Sequence, residues 1–152
     1  MLSRKFLRAI AVIVVPVLVG FGPCGPLPGG LLEGPVVFEK VNDFSFVNDV
    51  EHCALEVIGD EPHSVTVNCW TVGKQLFIGC TECSDKQWSD MIVKNTSARV
   101  KIGDRLYPIL ATKMQDEGAI ERAWRFRWLK YEDGDAEPVP DDYWLFHMRS
   151  LG

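Results

Sequence analysis

The chain has 152 residues, 47% of them hydrophobic, which suits one globular domain. It carries 16 Lys and Arg against 21 Asp and Glu, a formal net charge of -5, and without the three basic residues that precede residue 9 the balance is 13 against 21, or -8. Such an acidic surface repels phosphate backbones, so we expect no nucleic-acid partner.

The N-terminus pairs a basic flank with an apolar run. Arg4, Lys5 and Arg8 precede AIAVIVVPVLVGFG, residues 9–22. A helix over residues 6–22 would be about 25 Å long at 1.5 Å per residue, slightly short of the ~30 Å hydrocarbon core. A cleaved signal peptide and an uncleaved membrane anchor therefore both fit, and the lack of an Ala-x-Ala cleavage pattern favours the anchor. The basic flank predicts a cytoplasmic N-terminus, which places the rest on the periplasmic side or, after cleavage, in the secreted fraction.

Three segments follow from this composition. Residues 1–22 form the anchor or signal, and residues 23–35, PCGPLPGGLLEGP, contain too much Pro and Gly for a helix or a central strand and are predicted to be a linker. The folded domain then spans residues 36–152. Its first part is weakly patterned, with one predicted strand from Ala54 to Ile58.

The first clear element is a β-hairpin. Alternating apolar and polar residues run from His63 to Trp70 and from Lys74 to Cys80, with Gly73 between them. Because side chains alternate along a strand, Val65, Val67 and Cys69 are expected to share one face of a single strand.

A short helix and a second hairpin come next. Ser84 or Asp85 is predicted to cap a helix that continues to Asn95 with Trp88, Met91 and Ile92 on one face. The sequence ARVKI-GD-RLYPILA, residues 98–111, then predicts a hairpin with a two-residue turn. Pro108 has no N–H for the ladder, which predicts an edge strand or a local bulge.

A second helix and a last strand complete the pattern. Residues 116–131 place Ile120, Ala123, Trp124, Trp128 and Leu129 on one helical stripe. The following EDGDAEPVPDD is predicted to be too polar and Pro-rich to pack, and residues 143–149 alternate as a strand does. Successive hairpins imply an antiparallel sheet of about six strands, which buries one face best by closing into a barrel. The predicted class is mainly β with two helices, an α+β split barrel.

The segment from Ser64 to Asp116 resembles the FMN-binding and deazaflavin-dependent split barrels, the nitroreductase-like family related to pyridoxamine-phosphate oxidases. The most specific portion is WSDMIVKNTSARVKIGDRLY, residues 88–107, and VTVNCWTVGKQLFIG, CTECSDKQ and WLFHMR match the layout around it. The resemblance implies a homodimer and a cofactor that is FMN or coenzyme F420. It also implies that Ser84 and Lys86 lie near a phosphate and that Trp88 packs the loop. The cofactor positions that it implies are Ser84, Lys86, Trp88, Asn95 and Tyr107.

Cys80 and Cys83, in CTECSDKQW, allow three interpretations. They are a structural disulfide, a redox pair in which a helix start lowers a thiol pKa, or half of a zinc site. The remaining zinc ligands would come from Cys53, His52, Cys69 or His63. One C-x-x-C pair is weak evidence for zinc, and no metal site is predicted. Cys53 with Cys69 is a further candidate bridge, and Cys24 lies outside the domain.

Three functions remain open on the sequence. One is a membrane-tethered flavin or deazaflavin oxidoreductase that acts on a small organic molecule, for which no general base can be named. Another is a non-catalytic binding or accessory module of the cell envelope. The third is a thiol redox protein that uses Cys80 and Cys83. His63 and His147 are interpreted as surface or core residues because neither has an evident carboxylate partner.

Overall fold

The computed structural model describes residues 29–152. They form seven strands and two α-helices, with 3-10 turns at Ser45–Asp49 and Cys83–Asp85. In chain order the elements are β1 (Cys53–Val57), β2 (His63–Val67), β3 (Cys69–Val72), β4 (Gln75–Thr81), α1 (Gln87–Lys94), β5 (Ser97–Ile102), β6 (Arg105–Lys113), α2 (Glu117–Tyr131) and β7 (Tyr143–Ser150).

All seven strands belong to one antiparallel sheet in the order β2-β1-β5-β6-β7-β4-β3. The two edge strands, β2 and β3, are consecutive in the chain and only Asn68 separates them. One residue spans only a few ångströms, so the sheet must curl until its edges meet. A disulfide between Cys53 on β1 and Cys69 on β3 bridges this seam. The result is the barrel that the hairpins predicted.

The first predicted hairpin is partly wrong. Residues 63–70 do not form one strand, because the chain breaks at Asn68. The half before the break pairs with β1, with Val67 opposite Cys53, and the half after it pairs with β4, with Cys69 opposite Ile78. The alternation of Val65, Val67 and Cys69 continues across the break, so strand periodicity gives no sign of the change in partner.

The second predicted hairpin is confirmed, as β5 and β6 joined at Gly103, whose φ of 60° suits a two-residue turn. The expectation of an edge strand for Pro108 is wrong, because β6 lies between β5 and β7. The Pro108 carbonyl accepts a hydrogen bond from Leu151, just past the end of β7. The missing N–H therefore faces the end of the ladder, where its loss matters least.

Helix α1 is confirmed, but its predicted caps are wrong. The N-cap residue is Lys86, and no side chain caps it. Ser84 instead donates to Asp142, and Asp85 lies in the preceding 3-10 turn. Trp88 and Ile92 are buried against the barrel interior, as their spacing predicted.

Two apolar clusters build the core. The first fills the barrel, where side chains from every strand meet α1 and the 3-10 turn. The second lies outside it, where Ala123 and Trp124 of α2 pack on Trp70, Phe77 and Leu145.

Helix α2 begins where predicted, with the Asp116 carboxylate accepting from the Ala119 amide at 2.7 Å. Two expectations about its packing are wrong. Leu129 is 76% exposed rather than part of the buried stripe. The acidic loop after α2 does pack, since Val139 joins the outer cluster and the Glu137 carbonyl accepts from Trp124 Nε1 at 2.7 Å.

Residues 29–37 lie along the barrel. Gly29 exchanges backbone hydrogen bonds with Ser64, Leu32 donates to the Glu56 carboxylate, and Val37 donates to the Leu106 carbonyl. The predicted membrane segment, residues 6–22, and Cys24 lie outside the described residues. Within residues 29–152, no helix combines the length and the apolar character needed to cross a membrane.

Candidate functional site

A cavity of about 250 Å³ opens at the barrel seam. The ends of β2 and β4 form one side of it, and the starts of α1 and β7 together with α2 form the other. We call it the seam cavity. The lining residues that matter below are Gly79, Cys80, Lys86, Trp88, Arg127 and Tyr143.

Tyr143 brings an unpartnered hydroxyl to this cavity. The residue is 7% exposed, and its Oη is buried without a hydrogen-bond partner among the described residues. Gly79 makes room for it, because a Cβ at Gly79 would lie 2.1 Å from that oxygen. Burial raises the pKa of Tyr143, and the Arg127 charge only partly offsets this. The hydroxyl is therefore a neutral donor, and a buried donor without an acceptor is the kind of group that a ligand satisfies.

Two cationic side chains line the same cavity. Arg127 is 17% exposed, lies 4.9 Å from the Trp124 ring and donates through Nη2 to the Glu132 carboxylate at 3.3 Å, an ion pair outside the cavity lining. Lys86 donates through Nζ to the Thr81 carbonyl. None of the described residues that line the cavity is acidic. The potential there favours an anionic group.

Two larger grooves have a different charge. One, of about 670 Å³, lies between α2 and the loop after it and is lined by Glu117, Glu121, Glu137 and Asp141. Its Arg125 is paired with Glu121. The other, of about 800 Å³, lies beside α1, with Asp60 and Glu61 in its wall. Lys94 also lines the groove beside α1, but carboxylates outnumber Lys and Arg in both grooves, so the seam cavity suits an anionic nucleotide better despite its smaller volume.

No protein-family model and no curated protein matches the chain. Solved structures do. A candidate pyridoxamine 5'-phosphate oxidase from Listeria innocua shares 16% identity over 70% of this chain and 89% of its own, with a TM-score of 0.57. A candidate 5-nitroimidazole antibiotic resistance protein from Bacteroides thetaiotaomicron shares 11% over 76% and 82%, with a TM-score of 0.58. A FAD-binding protein from Mesorhizobium loti shares 10% over 70% and 85%, with a TM-score of 0.52.

The chain has the split-barrel fold. The likeness confirms the predicted resemblance at the level of fold, since identities of 10–16% establish nothing finer.

The split barrel brings only two of the five predicted cofactor positions together. Lys86 and Trp88 line the seam cavity. Ser84 is held by Asp142 at 2.9 Å, and Asn95 lies in the groove beside α1, where it bonds the Ile58 carbonyl and the Ser97 amide. Tyr107 is buried in the barrel core, 6.0 Å from the ring of Phe44.

Gly79 and Tyr143 do not stand out in the sequence, and Arg127 does so only together with Arg122 and Arg125. Gly79 stands inside an otherwise apolar strand, which is a recognised signal that something approaches the backbone closely. Arg122, Arg125 and Arg127 interleave with the apolar stripe, and the sequence predicts for all three alike either a solvated face opposite the acidic loop or a contact with an anionic ligand. Tyr143 reads as an ordinary strand residue.

The cysteines of the described residues form two disulfides, Cys53–Cys69 and Cys80–Cys83. The candidate bridge between Cys53 and Cys69 is confirmed. Within residues 29–152 no group of three or more His, Cys, Asp or Glu side chains is arranged to hold a metal ion.

The two histidines named from the sequence lie away from the seam cavity. His63 lies in the groove beside α1, and His147 lies within β7, 5.2 Å from the ring of Phe77. Burial first, and then the nearby Arg149 charge, lowers the pKa of His147 and favours the neutral imidazole.

Proposed function

We propose that this split barrel binds a flavin-type nucleotide at the seam cavity and supports redox chemistry on a small organic molecule. The observation that carries the proposal is the buried, unpartnered Tyr143 hydroxyl beside two cationic side chains in a cavity with no acidic lining. The fold is shared with a FAD-binding protein, which supports the choice of ligand class.

Different residues of the chain would bind different parts of the ligand. Arg127 and Lys86 suit the phosphate, since Arg forms bidentate contacts and Lys acts as a point charge. Tyr143 donates a hydrogen bond to a carbonyl or ring nitrogen of the ligand. Trp88, at the cavity wall, offers an apolar surface for a flat ring. A bound flavin or deazaflavin would supply the hydride chemistry, and the protein supplies orientation and polarity.

The size of the cavity supports a homodimer. Small-molecule sites usually enclose about 300–1,000 Å³, and the seam cavity is smaller. One chain therefore accommodates part of a nucleotide, and we propose that a second copy encloses the rest.

The disulfides support an oxidising location. Disulfides persist outside the cytoplasm and are rare within it. Four cysteines of the barrel are paired. Together with the basic flank before residues 6–22, this supports our proposal that the domain faces the periplasmic side, either anchored in the membrane or released from it.

One observation favours a non-catalytic binding module as the second candidate. Among the described residues, the lining of the seam cavity contains no His, Asp or Glu that could move a proton. A protein that only binds an anionic aromatic compound would need no such group. The two candidates share the binding step and differ in whether a bound flavin is reduced and reoxidised.

Ligand titration tests the binding step. The full chain is purified with its disulfides intact and titrated with FMN, FAD and F420, and its thermal stability and the ligand fluorescence are recorded. A ligand that binds only the folded state should raise stability by about 2.7 kcal/mol at 100 times its Kd.

Two substitutions on the same helix make the test specific. R127Q should weaken binding at least tenfold, whereas R125Q, on the exposed face and paired with Glu121, should leave it unchanged. No stabilisation by any of the three ligands at millimolar concentration would overturn the proposal. Bound FMN or F420 that no reductant can reduce would favour the non-catalytic module.

A further inference from the structure

The two disulfides differ in how far they are sealed from solvent. Cys53 and Cys69 are 2% and 0% exposed, so both are buried, although Cys53 borders a separate cavity of about 270 Å³. Cys83 is 0% exposed, but Cys80 is partly exposed and lines the seam cavity. Of the four cysteines that the structure describes, Cys80 is therefore the one that a reagent in the seam cavity can approach.

The loop that the second disulfide closes has an unfavourable backbone. Glu82 lies between the two cysteines with φ 52° and ψ 41°, the left-handed conformation, and is the one non-glycine residue with positive φ in the part of the chain that the structure describes. Residues with a Cβ rarely adopt this conformation. Opening the disulfide removes the covalent link that closes the ring around Glu82.

The cavity that Cys80 lines favours a negative charge, because two cations line it, whereas Glu82 and Asp85 of the same loop are solvent-exposed and do not line it. Lys86 donates to the carbonyl of Thr81, the residue next to Cys80, and Arg127 lines the same cavity. Cationic neighbours lower thiol pKa values and stabilise thiolates. The unpartnered Tyr143 hydroxyl is a further donor in this cavity.

We propose that Cys80–Cys83 is an exchangeable disulfide that oxidises small thiols bearing an anionic group, and that Cys80 carries the attacked sulfur. The two cations that would stabilise the thiolate also select the charge of the substrate. This activity lies beyond the proposed nucleotide binding and requires no bound flavin.

The exchange needs no oxidant other than the protein disulfide and no reductant other than the substrate thiols. The thiolate of the first substrate attacks Cys80 Sγ, the Cys80–Cys83 bond breaks, and Cys83 leaves with the electron pair and takes a proton. A second substrate thiolate then attacks the substrate sulfur of the mixed disulfide and releases Cys80 as a thiolate. Two thiols become one disulfide, and the protein disulfide becomes a dithiol, in a reversible two-electron step.

A series of thiols of different charge tests this on the unmodified full chain, without flavin. Mercaptoethanesulfonate, mercaptoethanol and cysteamine are compared at equal thiolate concentration, with quenching by alkylation and mass spectrometry of the cysteine peptides. Cys80–Cys83 should open at least tenfold faster with the anionic than with the cationic thiol, while Cys53–Cys69 stays closed. Equal rates for both bonds, or no dependence on thiol charge, would overturn the proposal.

Substitutions identify the attacked sulfur and the source of the charge preference. C83S should accumulate a mixed disulfide at Cys80 when offered the disulfide of mercaptoethanesulfonate, and C80S should not form one at the buried Cys83. R127Q should lower the charge preference severalfold, and R125Q should keep it. The reverse pattern between C83S and C80S would also overturn the assignment. Because these assays read sulfur and the titrations above read nucleotide, either proposal can fail alone.

Discussion

Tyr143 shows how one side chain can be buried for a purpose other than stability. Its ring packs edge-on against Trp124 with centroids 4.8 Å apart, but its hydroxyl has no partner among the described residues. A buried hydroxyl without a hydrogen bond costs the folded state about 1–3 kcal/mol. Packing of the ring therefore explains why Tyr143 is buried. A ligand that accepts a hydrogen bond would explain why its hydroxyl has no partner in the protein.

Y143F should raise the free energy of unfolding of the ligand-free chain by about 1–2 kcal/mol, because it removes the unpaired oxygen and keeps the ring. The measurement is denaturant unfolding monitored by tryptophan fluorescence. Tyr131 provides the matched control, since its hydroxyl donates to the Glu51 carbonyl at 2.7 Å and accepts from the Cys69 amide at 3.0 Å. Y131F should lower the free energy of unfolding by about 1–3 kcal/mol. Equal losses for the two variants would mean that Tyr143 Oη has a partner.

At the scale of elements, an ion pair joins the segment before the barrel to the sheet. Arg99 on β5 donates through Nε and Nη2 to the two carboxylate oxygens of Glu56 on β1, each at 2.7 Å. The same carboxylate accepts from the Leu32 amide at 2.5 Å, and Arg99 donates to the Leu32 carbonyl at 3.1 Å. Glu56 is 3% exposed, so the carboxylate that attaches residues 29–37 to the sheet is buried.

This ion pair predicts a loss of stability in acid. Burial alone would raise the pKa of Glu56, but the hydrogen bonds from Arg99 and Leu32 and the Arg99 charge together lower it. A carboxylate with a lowered folded-state pKa stabilises the fold above its unfolded pKa of about 4.3. That stability is lost as pH falls through the lower folded value.

E56Q should reduce the free energy of unfolding at pH 7 by about 3 kcal/mol, because it leaves Arg99 without its charged partner. The difference between the variant and the original chain should shrink as the pH falls below about 4, which urea titrations at several pH values would show. E61Q, on an exposed turn, is the control and should change little. A difference that is constant down to pH 2 would contradict the assignment of the pKa shift to this pair.

At the scale of the whole molecule, closure of the barrel depends on the seam. The sheet order places β1 and β3 far apart along the hydrogen-bonded ladder, and Cys53–Cys69 joins them across the gap. The separation between these cysteines is 16 residues, against 3 for Cys80 and Cys83. Closing a longer loop removes more conformational entropy from the unfolded chain, so Cys53–Cys69 should stabilise the fold more than Cys80–Cys83 does.

C53A/C69A should therefore lower the free energy of unfolding by about 3 kcal/mol, as measured by guanidinium denaturation of oxidised protein. C80A/C83A is the matched control and should cost less, because its loop is shorter and its bond does not cross the seam. If the second double substitution proved the more damaging, the seam disulfide would not be the main staple of the barrel.

Elements with a local signal are predictable from the sequence. The β5–β6 hairpin follows from its Gly103 turn, α2 from the spacing of Ile120, Ala123 and Trp124, and β7 from simple alternation. These patterns depend on contacts a few residues apart, so they can be read without knowing the fold. The resemblance to split barrels also came from this layout.

The strand pairing at the seam and the position of the site follow from long-range contacts. Periodicity does not show the break at Asn68, because Val65, Val67 and Cys69 alternate through it. The partner of each half depends on closure of the whole sheet. The seam cavity likewise joins Gly79, Arg127 and Tyr143, which lie on three elements and acquire their meaning from one another. Residues on different strands become neighbours only when the sheet closes and buries both of its faces. No local stretch of sequence therefore predicts which of them will meet.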